Sequence, residues 1–306
     1  MPTKLAILCP GQGAQLVGMG KDFYEAFPIA RDTFAAANQI LGFDLSSICF
    51  SGPEDRLNQT DISQPAIYVT SIAAYRAAKS GTGPISVCAG LSLGEYTALH
   101  LAGVFSFEDG LKLVAARGRY MQQAALATPS GMVAIMGADE PAIRALCNEC
   151  SQGQVLVPAN FNSPGQIVVS GESTACQRIA TVAESRGFKA IPLKVAGAFH
   201  SPLMQSAADA MQREIAAVPF NAPKCTVYAN ITAAPHTDPD SIKRLLVDQI
   251  THPVKWQQTM QALIAIPDLR FIELAPGRTL AGLAKKINRR FPIDSLATAD
   301  TLATNN

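Results

Sequence analysis

Net charge is nearly absent from this 306-residue chain: 25 Lys and Arg stand against 24 Asp and Glu, leaving a formal charge of +1. A protein held to nucleic acid by phosphate neutralisation needs a basic surplus, so that class is set aside and any cationic surface must be local. Long apolar runs are missing too. None approaches the ~20 residues of a membrane-spanning helix, and residues 5–9 form too short a run for a signal peptide. The expectation is a soluble cytoplasmic protein with no membrane partner. Paired cysteine is the third absence: the seven cysteines are odd in number and lack a spacing pattern, which fits free thiols in a reducing compartment. Cys147-Asn-Glu-Cys150 has no second C-x-x-C and no H-x-x-x-H to complete a metal site, so it reads as two small residues on a helix, and no metal is expected. Disorder is excluded by 48% hydrophobic residues against 16% charged. The length suggests about two units, or one large α/β domain with an insertion.

Strand and helix patterns alternate along the chain. Residues 4–9 read as a buried strand closed by Pro10 and Gly11, followed by helical patterns over 19–41 and 63–79 and a second strand at 84–90. Helix resumes over 94–103 and 107–127, a succession that predicts a mostly parallel sheet covered on both faces. The order then changes: strand 132–136, helix 140–150, strands 155–158 and 167–170 around a turn-rich Asn160–Gly165, helix 174–186 and strand 189–195. This β-α-β-β-α-β succession is that of a ferredoxin-like unit. It predicts a small domain over 129–196 inserted into a large domain of 1–128 and 197–306. The last dozen residues read as a loose tail.

Gly90-Leu91-Ser92-Leu93-Gly94 matches G-x-S-x-G, between a predicted strand and a predicted helix. That context is what a nucleophile elbow needs: glycines permit the sharp turn that lifts a serine hydroxyl above the sheet, and the next amide, of Leu93, can stabilise an oxyanion. A serine nucleophile needs a base, and histidine is scarce, with four in the chain. His100 falls at the far end of the helix after the elbow, His236 in a polar loop, and His252 before Pro253. His200, where the chain re-enters the large domain, is the candidate, although spacing alone does not separate it from a structural histidine and supplies no partner acid. The glycine-rich opening after residue 10 is not a phosphate loop: G-x-G-x-x-G would need glycine where Leu16 stands, and a Walker loop ending at Lys21 would need glycine at Gln15 and a hydroxyl at Asp22.

Several runs together carry a resemblance: Gly11-Gln12-Gly13, Gly90 to Tyr96, Arg117-Gly118, Asn160-Phe-Asn-Ser-Pro-Gly-Gln166, Ala198-Phe-His-Ser201, Asp248-Gln249 before Pro253-Val-Lys-Trp256, and Glu273-Leu-Ala-Pro-Gly277. In this order, over about residues 4–290, the chain resembles malonyl-CoA:acyl carrier protein transacylases. The resemblance implies an α/β-hydrolase-like large domain with an inserted ferredoxin-like domain and a site in the cleft between them. It implies Ser92 as nucleophile, His200 as base, the Gln249 carbonyl orienting His200, Gln12 and Leu93 as oxyanion amides, and Arg117 pairing with a malonyl carboxylate. Asn160, Asn162 and Phe199 belong to the implied substrate wall. In the family, malonyl-selective members carry the Phe199 ring, and methylmalonyl-selective ones have serine there. Leu91 departs from the histidine that many relatives carry. The implied reaction is ping-pong transfer of malonyl from malonyl-CoA to the phosphopantetheine thiol of an acyl carrier protein, for fatty acid or polyketide synthesis. The enzyme is expected to be a monomer with no cofactor of its own. An acyl hydrolase on the same scaffold is the alternative. The acidic carrier protein would dock near Lys285, Lys286, Arg289 and Arg290, four cations expected on adjoining strips of one helical face.

Overall fold

The computed structural model describes residues 4–303. Among the described residues, nine strands form two sheets. β1 (Lys4–Cys9) and β2 (Ile85–Gly90) precede β3 (Ser130–Met136), β4 (Leu156–Ser163), β5 (Gln166–Glu172) and β6 (Lys189–Pro192); β7 (Thr226–Val227), β8 (Leu269–Leu274) and β9 (Asp294–Leu296) follow. The first sheet is parallel throughout, in the order β7-β2-β1-β8-β9. The second is antiparallel, β4-β5-β3-β6, and is drawn entirely from residues between 130 and 192.

The alternation of side chains along a strand explains both layers. In β1, Leu5, Ile7 and Cys9 enter one apolar cluster and Ala6 and Leu8 another, so the parallel sheet is buried on both faces. The antiparallel sheet is divided in the same way. Val133, Ile135, Ile167 and Val169 pack beneath the helices Glu140–Ser151 and Ser173–Ser185, whereas Met132, Ala134 and Val168 join the core of the larger unit. Cys147 and Cys150 both lie in the small core, where burial pushes the Cys147 thiol up to about 12.

Several local expectations need correction. The segment 19–41 is two helices, Lys21–Ala26 and Pro28–Leu41, because Pro28 cannot continue the first and suits the start of the second. The helix expected at 63–79 runs Thr60–Thr82 with Pro65 in its first turns. Asn160–Ser163 is not a turn. It extends β4, and the reversal narrows to Pro164-Gly165 between the paired Ser163 and Gln166. The final strand of the small unit stops at Pro192 rather than 195. The tail is structured up to 303: β9 adds to the parallel sheet, and the Ala299 amide donates to Asp22 at 2.6 Å.

Candidate active site

β2 ends at Gly90 and the next helix, Gly94–Leu101, begins four residues later. A reversal that tight brings backbone onto backbone. A Cβ on Gly90 would lie 2.0 Å from the Gly94 carbonyl, and one on Gly94 would lie 2.1 Å from the Cys9 oxygen. Ser92 sits at the apex with φ 53, a left-handed conformation that costs an L residue about 1–3 kcal/mol. Its backbone is clamped on both sides: the amide donates to Asn230 Oδ1 at 2.6 Å, and the carbonyl accepts from Gln249 Nε2 at 3.0 Å.

The turn after β1 lies against the elbow, where a Cβ on Gly11 would meet the Leu91 oxygen at 2.3 Å. This brings Gln12 into the wall around Ser92. The Leu93 amide stands at the N-terminus of the elbow helix, where N–H groups have no intrahelical acceptor.

His200 also has positive φ, 57. The Ser201 hydroxyl donates to the Ala198 carbonyl at 2.6 Å and steadies that turn. His200 Nδ1 lies 2.8 Å from the Gln249 carbonyl, and Nε2 lies 2.8 Å from Ser92 Oγ. A carbonyl can only accept, so Nδ1 carries the hydrogen and Nε2 is left to accept from the serine hydroxyl. Burial, and secondarily the Arg117 charge, lower the His200 pKa to about 4, so near neutrality the ring is an unprotonated base.

Arg117 arrives on the helix Phe107–Ala127, begun by the Ser106 cap. This helix packs closely on Thr60–Thr82: a Cβ on Gly118 would lie 2.6 Å from the Thr60 carbonyl. The arginine is 1% exposed. Nη1 donates to Gln64 Oε1 at 2.7 Å, while Nη2 donates to Gln249 Oε1 at 2.9 Å and to Ser92 Oγ at 3.0 Å. Burial lowers its pKa, yet a guanidinium stays charged.

Ser92, Arg117, His200, Gln12, Asn160, Asn162 and Phe199 all line one cleft of about 440 Å³, bounded across from the elbow by Met132 and Val168 of the small sheet. Gln249 is fully buried and touches Ser92, His200 and Arg117. Lys285, Arg289 and Arg290 are exposed and outside the cleft wall. They also fail to share one helical face, since the helix ends at Ile287 with Asn288 as its cap. The expected (i, i+4) arrangement required three further helical residues.

Of the other histidines, His100 is held by the Phe105 carbonyl at 3.2 Å, and exposed His252 by the Asp248 carbonyl at 2.8 Å. His236 lies in the loop before the helix Pro239–Asp248, as expected. It is buried, with Nε2 2.8 Å from Glu95 Oε1.

Three residues around the site went unread in the sequence, Gln64, Glu95 and Asn230, and His236 was read only as a loop residue. Glu95 lies within the Gly90–Tyr96 run, but its partners Asn230, His236 and Gln249 come from far along the chain. A glutamine in a helix, like Gln64, carries no local mark at all.

Ser92, a neutral imidazole and a buried guanidinium thus meet within 3.0 Å, an arrangement suited to acyl transfer. The model of a family described as an acyl transferase domain matches residues 7–302. The malonyl CoA-acyl carrier protein transacylase of Escherichia coli (strain K12) is 41% identical over 288 residues, covering 93% of this chain and 93% of that protein. Among solved structures, the malonyl CoA-acyl carrier protein transacylase of Coxiella burnetii is similar with a TM-score of 0.95 at 38% identity, covering 99% of this chain and 97% of that one. A type II polyketide-synthase acyl-carrier protein in complex with its malonyl-transacylase gives 0.94 at 36% identity, with 99% of each chain covered. The chain belongs to the acyl transferase domain family.

Proposed function

We propose that the protein moves malonyl from malonyl-CoA to the phosphopantetheine thiol of an acyl carrier protein, by way of a malonyl ester on Ser92. In the first half-reaction His200 Nε2 takes the Ser92 proton as Oγ attacks the thioester carbon. The Gln12 and Leu93 amides receive the oxyanion. The C–S bond then breaks, and the departing coenzyme A sulfur takes the proton from His200 Nε2, which leaves the imidazole neutral again. In the second half-reaction the carrier thiol gives its proton to His200 and attacks the malonyl ester, and Ser92 Oγ recovers the proton as it departs. Phosphopantetheine comes with the carrier, so this chemistry asks for no cofactor resident in the chain.

The observation that carries the reading is the Arg117 guanidinium, buried and 3.0 Å from the nucleophilic oxygen. Taking a cation out of water costs several kcal/mol, and a carboxylate on the acyl group offsets that cost. A hydrolase of simple acyl chains would bear the cost with no return. The names of the similar proteins, malonyl transacylases and one in complex with its carrier protein, support the same substrate pair. We read Asn160 and Asn162 as polar wall contacts for the substrate, and the Phe199 ring beside His200 as filling the space an α-methyl group would need. Further readings are a monomeric, cytoplasmic enzyme of fatty acid or polyketide synthesis, residues 129–196 as an inserted unit, and docking of the acidic carrier near Lys285, Lys286, Arg289 and Arg290. Among the described residues no helix is long and apolar enough to cross a membrane.

Intact-mass spectrometry after brief mixing with malonyl-CoA tests the reading. One malonyl mass should appear on the wild-type protein, be absent in Ser92→Ala, and pass to added carrier protein. Arg117→Ala should lower kcat/KM for malonyl-CoA thirtyfold or more, the equivalent of about 2–5 kcal/mol for truncating a buried charge pair, and acetyl-CoA should lose far less. Malonate release to water with no carrier product would instead identify a hydrolase.

A further inference from the structure

We propose that Glu95 is a positioning residue: acting through the Gln249 side chain, it holds the Arg117 guanidinium beside Ser92 and thereby sets the preference for an acyl group bearing a free carboxylate. The inference rests on the malonyl-transfer reading of the site.

Every polar atom of Gln249 is in use, and its two halves serve different partners. The backbone amide donates to Leu245 at 2.9 Å, and the backbone carbonyl accepts from His200 at 2.8 Å. The side-chain Oε1 accepts from Arg117 Nη2 at 2.9 Å, while Nε2 donates to the Ser92 carbonyl at 3.0 Å and to Glu95 Oε2 at 2.7 Å. The base therefore depends on the main chain of Gln249, and the cation on its amide.

An amide's two ends are alike in shape and opposite in polarity. Turned over, the Gln249 amide would set its NH2 against the guanidinium and its oxygen against the Ser92 carbonyl and the Glu95 carboxylate. The Ser92 carbonyl opposes that flip weakly, as a neutral acceptor. Glu95 opposes it strongly, because its bond to Nε2 is charge-assisted and the shorter of the two. Glu95 is itself fixed, at 1% exposure: the Asn230 amide donates to Oε2 at 3.1 Å, and His236 Nε2 bonds Oε1 at 2.8 Å. Three N–H donors thus converge on two oxygens, a set that suits an acceptor-only carboxylate.

The relay also explains how a buried arginine can wait for an anionic substrate. A carboxylate paired directly with Arg117 would fill the donor fork that a substrate carboxylate must enter. Held one residue away, Glu95 still favours the guanidinium charge while neutral amides of Gln64 and Gln249 occupy the fork. Nε of Arg117 has no partner among the described residues.

The test compares acylation of the full chain by malonyl-CoA and acetyl-CoA in Glu95→Gln, Gln249→Leu and the double variant, with thermal unfolding of each. Glu95→Gln is isosteric, but its amide has one accepting oxygen where the carboxylate has two, and it no longer dictates which way Gln249 faces. The malonyl:acetyl ratio of kcat/KM should fall about tenfold, mainly through KM for malonyl-CoA. A general weakening of the elbow would lower both substrates together and leave the ratio alone. If Glu95 works through Gln249, adding Glu95→Gln to Gln249→Leu should cost little further selectivity. A ratio within twofold of wild type, or fully additive losses, overturns the inference while the malonyl reading stands. A wild-type protein that malonyl-CoA does not acylate overturns both. Should Glu95→Gln fail to fold, the ratio in Gln249→Leu, which leaves Asn230 and His236 on Glu95, decides: a tenfold fall supports the relay and an unchanged ratio removes it.

Discussion

Along the C-terminal edge of the parallel sheet, Ser92, Arg117, His200 and Gln249 come from four separate segments, and two of them hold left-handed backbone. Across the cleft, the antiparallel sheet is built from one continuous stretch, with a tight hairpin at Ser163–Gln166 and surface pairs such as Arg144–Glu140 along a helix. One side gathers distant residues by forcing backbones together; the other supplies a wall, with Met132, Asn160, Asn162 and Val168 facing the site. Acyl-transfer geometry is therefore stored in the tight contacts of the parallel sheet, and the wall need only be the right shape. Strain is affordable at the edge because the surrounding layers are buried on both faces.

The largest effect should come from filling one of those contacts. Gly94→Ala would place a methyl 2.1 Å from the Cys9 carbonyl, and main-chain atoms there cannot swing aside. We expect about 3 kcal/mol or more of destabilisation and loss of acylation by malonyl-CoA. Gly131→Ala, at the start of β3, meets open space and should stay within about 0.5 kcal/mol with acylation unchanged. Urea unfolding and intact mass read both. A Gly94→Ala protein with wild-type stability and acylation would erase the contrast.

His200 sharpens the comparison next. His200→Ala should slow acylation on the order of a hundredfold or more. The wild-type acylation rate should stay flat down to about pH 5 and halve near pH 4, rather than near the ordinary imidazole value of 6.5. The linkage has a defined sign. With its folded pKa lowered, His200 binds fewer protons in the folded chain than in the unfolded one between pH 6.5 and about 4. The stability it permits is complete above pH 6.5 and is lost as pH falls through that window. A rate that halves near 6.5 would place the imidazole in water, against the buried geometry.

The same contrast governs what could be read from the sequence. The elbow was legible because its whole signal is local: a strand, G-x-S-x-G and a helix within the seventeen residues Ile85–Leu101. The alternation that predicted two sheet types was legible for a similar reason, since side-chain period reports each element by itself. Arg117 was not distinguishable by pattern from a surface arginine, and came from the family resemblance. The supporting network of Gln64, Glu95, Asn230 and His236 was invisible because its main contacts join distant residues, 53 positions apart for Gln64 and Arg117 and 154 for Glu95 and Gln249. Asn160–Gly165 was misread for a physical reason as well. Asn, Ser, Pro and Gly favour turns, but the ladder with β5 and the bridge from Asn160 to Val254 hold most of the segment extended.

The smallest effect concerns the mouth of the cleft, where the two regions touch. Lys286 Nζ donates to Gln166 Oε1 at 2.5 Å, so the helix Thr279–Ile287 of the larger unit reaches the hairpin of the smaller one. Lys285 has no such link, and Arg289 and Arg290 lie in the turn beyond the helix. A docking surface for an acidic carrier would therefore be a helix end plus a turn, and its charges act on encounter more than on the bound state. Lys285→Glu should raise KM for carrier protein roughly two- to fivefold, and more at low salt than at high, because surface charges are screened. Acylation by malonyl-CoA alone should hold. Lys286→Glu should raise the same KM and also alter the acylation step, since it breaks the link to Gln166 as well as reversing a charge. An unchanged KM in folded Lys285→Glu would leave that lysine as an ordinary solvated helix end, where cations suit the C-terminal dipole, and would move carrier docking to another face.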